Sequence, residues 1–505
     1  MPSGENYRLR QPNLDLQNGL YPLLTSMKPL TKADDDRDAF LVRFEDGDKE
    51  NPKNWKPYYK LWLTIEMGML AFVGSLGSSI MTPASATLSA YLDVSIEATV
   101  LVLSLFVLGF ALGPLLWAPI SEICGRKWSM LPPVLVLGLF SIGTAVSRNA
   151  TSVFITRFLG GVFGSAPISN VSAALGDIYD PQDRGVPMAF LALCVVGGPT
   201  VAPVIGAALT VNPHLGWRWT AYMEAIVAFV VWAVALFFLP ETYGPVLLKH
   251  KAKRMRESTG DERFWHPSEN EKLHPRNAVT KHLHRPLRMF FTEPMLTCIA
   301  LYASFVYGLL FLSIEVYPIV FYEQRQWSLV VSSIPILGIF VGVLCALFIN
   351  IANQPLYVRA MVKNGGQPVP EARLPPMIIG GFFFSAGLFW FGWTASPPHC
   401  WLSPVVAGGF IGAGFNVVFQ QCLNFLVDTY GTYAASAISG NTFLRSLLAC
   451  GLPLAARPMF LNMGIGPASS LLGGISCLAL PVPFIFMKYS STLRKKSKFA
   501  TALSG

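Results

Sequence analysis

Five ionisable residues interrupt the apolar runs of this 505-residue chain: Glu66, Arg157, Glu224, Glu315 and Arg445. A charge surrounded by hydrocarbon is expensive, so it must pair, reach water or change its protonation. A desolvated carboxylate favours its protonated form and so can take up and release a proton near neutral pH. Glu315 is therefore the first candidate for proton or cation binding, Glu224 the second, and Glu66 a further one. Arg157 must find a carboxylate, a carbonyl or water. Arg445 could hold an anionic molecule or balance Glu315, and the sequence does not separate these. Phe305, Tyr307, Phe419 and Phe443, with Asn416 and Gln420, stand on the same stretches as Glu315 and Arg445. Together they would suit a cavity for flat, hydrophobic compounds with a few placed hydrogen bonds.

Two Gly/Pro constellations could move helices. Trp117-Ala118-Pro119 leads through Glu122 to Gly125-Arg126-Lys127. A carboxylate at a helix end, followed by Gly and two cations, can make charge pairs that hold one conformation and release another. Glu122 and Arg126 are the natural partners, and Asp428, at the inner end of a later span, joins this latch set. Gly198-Pro199, Ala202-Pro203 and Gly206 fall within one apolar stretch. Small residues at this spacing let helices approach closely, and each Pro removes a backbone donor and bends its helix.

The elements that must position these groups are membrane helices. The chain is 52% hydrophobic and 13% charged, where a soluble chain carries about 25% charged residues. Runs of about 20 apolar residues, the length needed to cross a bilayer, predict spans at 60–82, 97–118, 128–146, 153–175, 187–209, 219–239, 295–319, 329–351, 376–394, 401–424, 434–457 and 467–487. With the N-terminus inside, 32 of the 38 Lys and Arg residues fall on the inner side and 4 outside. This bias predicts both termini in the cytoplasm and an even number of spans. It also reads the net charge of +9 as topology rather than nucleic-acid binding.

The predicted units are an N-terminal arm (1–58, largely disordered), six spans (59–239), a linker (240–294), six spans (295–487) and a tail (488–505). No cleavable leader is visible. The six-plus-six layout suggests repeated halves with a binding site between them. The linker's His250, His266, His274, His282 and His284 are too irregularly spaced to predict a metal site. The 8 Cys residues read as small hydrophobes. Asn149-Ala-Thr151 is a sequon lying too near two spans for easy modification. No cofactor is expected, since the chain lacks a G-x-x-x-x-G-K-[ST] phosphate loop.

On these residues the chain resembles the major facilitator superfamily. Ala118 to Lys127 looks like its inner-loop signature, G-x-x-x-D-x-x-G-R-[RK], with Ala118 for the first Gly and Glu122 for Asp. Gly198 to Gly206 resembles the antiporter motif G-P-x-x-G-G, with Ala202 at a Gly position. Arg157 with Gly160 resembles the span-4 motif R-x-x-q-G, in which the Arg is linked to proton transfer. Asn424 to Asp428, Asn441 to Ser446 and Pro370 to Pro375 resemble fungal twelve-span drug:proton antiporters. The likeness covers roughly residues 50–490. It implies an all-α fold of twelve transmembrane helices in two six-helix halves, a monomer in the plasma membrane (the vacuolar membrane is the second choice). It implies protons and a small molecule as partners, and proton-driven export of a drug, toxin or secondary metabolite. The alternatives are a di- or tricarboxylate exporter and a non-transporting receptor or channel. No nucleophile–base pair or metal set suggests an enzyme.

Overall fold

The computed structural model describes residues 40–45, 47–180, 183–269 and 285–497. The acidic cluster of the arm (Asp34 to Asp36), linker residues His274, His282 and His284, and tail residues 498–505 lie outside the described residues.

Among the described residues the fold is helical, with one isolated bridge and no strand. The membrane helices are α1 (Pro57–Leu76), α2 (Leu101–Cys124), α3 (Arg126–Val146), α4 (Ala150–Ile178), α5 (Gly185–Val211) and α6 (Arg218–Phe238). After the linker come α7 (Pro294–Pro318), α8 (Leu337–Lys363), α9 (Leu374–Thr394), α10 (Leu402–Tyr430), α11 (Ala434–Met463) and α12 (Ile465–Ala479). Eleven of these are long and apolar enough to cross a bilayer, some with a short flanking segment. The first, α1, carries Lys60 and Glu66 and completes the set of twelve.

Several boundaries differ from the predicted spans, each at a backbone-determining residue. The first helix stops at Leu76 and gives way to turns before Pro83. The eighth span is broken by a 3₁₀ turn at Ile334–Ile336, which contains Pro335, and its helix then runs on to Lys363. The twelfth divides at Pro481, where a second helix, Pro481–Lys496, begins. In the interior of a helix Pro both lacks a donor and clashes with the preceding turn.

Packing repeats with a shift of six helices. In the first six, α2 packs on α4, α3 on α4 and α6, and α1 on α5; in the last six, α8 packs on α10, α9 on α10 and α12, and α7 on α11. The two sets meet where α2 crosses α11 and α5 crosses α8, which are equivalent pairs under the same shift. Leu103, Val107 and Val196 from the first set are buried in the core of the second.

Residues 40–58, assigned to the arm, are folded against the linker. Leu41 bridges Trp265, Lys251 binds Asp48 at 2.6 Å, and Arg254 binds Glu50 at 2.8 Å. Lys251 holds the Asp48 carboxyl below its ordinary range, so this clip persists as pH falls until Asp48 is protonated. Lys53 reaches Asp180 at 3.3 Å, tying the arm to the loop after α4.

Candidate functional site

The candidate residues lie at helix ends, at the two seams and in the cores beside them. At the start of α3, Gly125 has φ +93°, a conformation L side chains rarely adopt. A Cβ there would also lie 2.2 Å from Oε2 of Glu241. The Glu241 carboxylate explains the crowding: it accepts from the backbone N–H groups of Arg126 (2.8 Å), Lys127 (3.2 Å), Thr242 and Tyr243 (2.9 Å each). It thus satisfies orphan donors at the start of α3 and places a negative charge at the helix's positive end. Lys127 closes the other side by donating to the Leu236 carbonyl near the end of α6, at 3.1 Å.

The Arg126 side chain is turned to Asp177 of α4 (2.9 Å), to the Ser121 hydroxyl (2.8 Å) and to the face of Tyr243 (4.6 Å). The pairing of Arg126 with Glu122, expected from their spacing, is thus replaced by one with Asp177. Two residues near in sequence at a helix end need not face each other, and Asp177 is brought up by the packing of α3 on α4. Asp428 does not meet Arg126. It accepts from Arg373 (3.0 Å) and from the Tyr357 hydroxyl (2.9 Å), and Arg373 lies 3.4 Å over the Tyr357 ring. Asp428 thus plays in the second set of helices the part that Asp177 plays in the first.

In the core of the first set, Arg157 pairs with Glu224 at 3.0 Å, with side-chain exposures of 1% and 0%. Arg157 also donates to the Val102 carbonyl at 3.2 Å and to the Gly77 carbonyl, and stacks 4.2 Å over Phe106. This one guanidinium therefore joins α1, α2, α4 and α6. Sequence reasoning found both members but treated them as separate candidates.

The α5 motif is directed at α1. A Cβ on Gly206 would lie 2.0 Å from the Ile80 carbonyl oxygen, and one on Gly198 would lie 2.7 Å from the Leu76 nitrogen. Pro203 has no N–H to give to the Pro199 carbonyl, one turn earlier. Ser79 supplies the missing donor at 2.9 Å. Ala202 is fully buried in a core that includes Leu76, Ile80 and Met81. The bends at Pro199 and Pro203 are thus stitched to the end of α1.

In the second set Arg445 is 9% exposed, and its buried Nε has no hydrogen-bond partner. Its guanidinium lies 4.8 Å from the centre of the Tyr307 ring and 5.0 Å from that of Phe419. Tyr307 and Phe419 are stacked at 5.6 Å, and Phe415 stacks on Phe419 at 5.6 Å with 9° between planes. Asn416 is buried beside this face with Oδ1 unsatisfied. Gln420 accepts from Asn350 of α8 at 2.6 Å, while Gln421 donates to Asn350 at 2.9 Å. Asn350 went unnoticed because a single amide near the end of an apolar run gives no pattern. Phe305 packs on the core, and Phe443 is half-buried outside the aromatic stack.

Glu315 stands near the C-terminal end of α7 and is turned toward the other set of helices. It faces a small cavity lined by Ser78, Met81, Thr82, Ser85, Thr99, Val102 and Leu103. Glu66 is 4% exposed, and neither of its carboxylate oxygens has a hydrogen-bond partner among the described residues.

Two six-helix sets meeting along two seams, with buried ionisable residues inside, define a multi-pass membrane carrier. The Major Facilitator Superfamily model matches residues 67–453, and the chain belongs to that family. It is 38% identical over 470 residues to the major facilitator superfamily multidrug transporter FLU1 of Candida albicans, covering 92% of this chain and 77% of that one. It is 39% identical over 480 residues to the efflux pump bik6 of Gibberella fujikuroi, covering 94% and 98%. Among solved structures, the fold is similar to the human organic anion transporter MFSD10 (TM-score 0.58, 19% identity, 85% and 100% covered). It is also similar to a partially occluded inward-open form of the E. coli xylose transporter XylE (TM-score 0.57, 17% identity, 86% and 98% covered).

Proposed function

We propose that the protein exports small amphipathic molecules from the cytoplasm across the plasma membrane in exchange for protons, by alternating access, as a monomer with both termini inside. The two relatives named as multidrug transporter and efflux pump favour export over the receptor, channel and di- or tricarboxylate readings. Residues 59–239 and 295–487 are read as the two rocking halves, and 240–294 as their connector. Glu315 is the proton carrier in this reading. The observation that carries it is the position of this carboxylate on α7, facing hydroxyl-bearing residues of the segment between α1 and α2. A proton taken up there from outside changes the charge on the seam that must open. The Arg157–Glu224 pair is assigned to holding the first half together, because each member is already compensated. Glu66 is the second choice for proton binding.

The test is efflux of a fluorescent cargo from proteoliposomes under an imposed pH gradient. Wild-type efflux should accelerate with the gradient. Glu315→Gln should keep cargo binding and lose the acceleration. Full gradient dependence in Glu315→Gln, with loss in Glu66→Gln, would transfer the role to Glu66.

A further inference from the structure

We infer that Arg445 is the anion-binding group of the cargo site, and that the cargo is a flat aromatic molecule carrying a single negative charge. This inference rests on the export reading and names the class of substrate.

The first observation is the isolation of the cation. Every other buried or half-buried Arg of the described membrane helices and their ends has an oxygen partner. Arg126 has Asp177, Arg157 has Glu224, Arg373 has Asp428, and Arg457 has Glu323. Arg184, Arg218 and Arg325 donate to backbone carbonyls. Arg445 makes neither kind of contact among the described residues, and the Tyr307 and Phe419 ring faces meet it instead. A buried charge left without a counter-charge is strongly unfavourable, and an intramembrane cation of this kind marks a ligand or ion pathway. Glu315 does not serve, because it lies two turns beyond Tyr307 on α7 and faces a cavity lined by residues of the first set of helices.

The second observation is the surroundings. Asn441, one turn before Arg445 on α11, is fully buried with both amide atoms unsatisfied. Asn416, three residues before Phe419 on α10, is 4% exposed with Oδ1 unsatisfied. Residues three or four apart share a helix face, so these amides lie on the faces that carry the guanidinium and its stacking ring. Buried polar groups are nearly always paired. Unpaired amides beside an unpaired guanidinium therefore mark a place where a ligand's polar atoms belong.

The third observation sets the shape and charge of that ligand. The guanidinium is planar and binds a carboxylate through two parallel N–H donors. The Tyr307, Phe419 and Phe415 rings form a continuous stack leading away from it. Such a wall offers flat faces to an aromatic body whose acidic group reaches Arg445. With one cation present, a tricarboxylate would leave two charges desolvated and uncompensated, and a cationic cargo would be repelled.

The test uses the purified full-length protein and 2-naphthoate, compared with neutral 2-naphthamide, 2-naphthylmethylammonium and citrate. Binding is read from ligand fluorescence and from the shift in unfolding temperature. Wild type should bind naphthoate about ten-fold more tightly than the amide, the preference expected for one charge-assisted contact. The amine and citrate should bind more weakly still. Arg445→Gln should erase the preference for naphthoate over the amide, and Arg445→Lys should restore part of it. Equal binding of naphthoate and amide by wild type, tighter binding of the amine or citrate, or an unchanged preference in Arg445→Gln would overturn the inference. If Arg445→Gln does not fold, the wild-type series decides alone. Efflux from proteoliposomes separates the two readings. Export of the amide or the amine without naphthoate keeps the exporter and discards the anion site. Naphthoate binding without export keeps the site and discards the exporter.

Discussion

The Arg157–Glu224 pair tests how much a single buried interaction holds. Both side chains are sealed from solvent, and removing one partner of such a pair leaves an uncompensated charge at a cost of about 3–5 kcal/mol. Arg157→Met and Glu224→Met should each sharply lower the unfolding temperature in detergent. The double variant should lose less than the sum, because it leaves no orphan charge. Additive losses in a double-mutant cycle would mean that Arg157's bonds to the Val102 and Gly77 carbonyls outweigh the ion pair. That Arg157 needed a partner was legible from its place in an apolar run. That the partner was Glu224 was not, because the residues lie 67 positions apart, and the two helices carry no pattern saying which faces meet. Glu241 escaped notice for the related reason that its role lies in backbone N–H groups on another helix, which no side-chain motif records. The polar residues around Arg445 were legible as types, but their lack of partners is a property only of the fold.

Two elements depend on the absence of a side chain. Gly125→Ala must both hold φ near +93° and displace the Glu241 carboxylate. It should therefore lower the unfolding temperature and weaken the cap of α3. Adding Glu241→Ala removes the clash but not the backbone strain and also deletes the cap, so it should not recover wild-type stability. Full recovery would show that only the clash mattered. At Gly206 the φ is ordinary helical and only the close approach is at stake. Gly206→Ala should push α5 away from α1, and transport should fall while the protein still folds, because the strained contact lies against a single carbonyl. Unchanged transport in Gly206→Ala would mean that the ends of α1 and α5 separate at little cost. The small-residue spacing of α5 gave the close approach from sequence, but not its partner. The eighth and twelfth spans were not read as interrupted because apolar content continues through Pro335 and Pro481, where backbone chemistry breaks the helix.

For the molecule as a whole, the issue on the proposed topology is how firmly the two sets of helices are held together at the outer side. Arg457 of α11 binds Glu323 at 2.5 Å within its own set of helices and reaches across to Glu97, at the start of the α2 span, at 3.8 Å. Glu97 is 58% exposed, and exposed ion pairs contribute about 0–1 kcal/mol. Such a contact biases an equilibrium without locking it, since shifting two states from 1:99 to 99:1 needs about 5.5 kcal/mol. A carrier must pass through both states in every cycle, so a weak outer clasp suits it better than a buried pair like Arg157–Glu224 would. Glu97→Gln should therefore raise the population open to the outside by at most about five-fold, the factor that 1 kcal/mol allows. The population can be read from the rate at which a membrane-impermeant maleimide labels Ser85→Cys, a position that lines the Glu315 cavity. Cys400, exposed before α10, is replaced by Ser to remove its background. A rise of that size should fade in high salt, where exposed charges are screened. A rise of a hundred-fold would mean that Glu97 is a lock rather than a bias, and no change at all would leave the closure to the apolar contacts of Leu103 and Val107 alone.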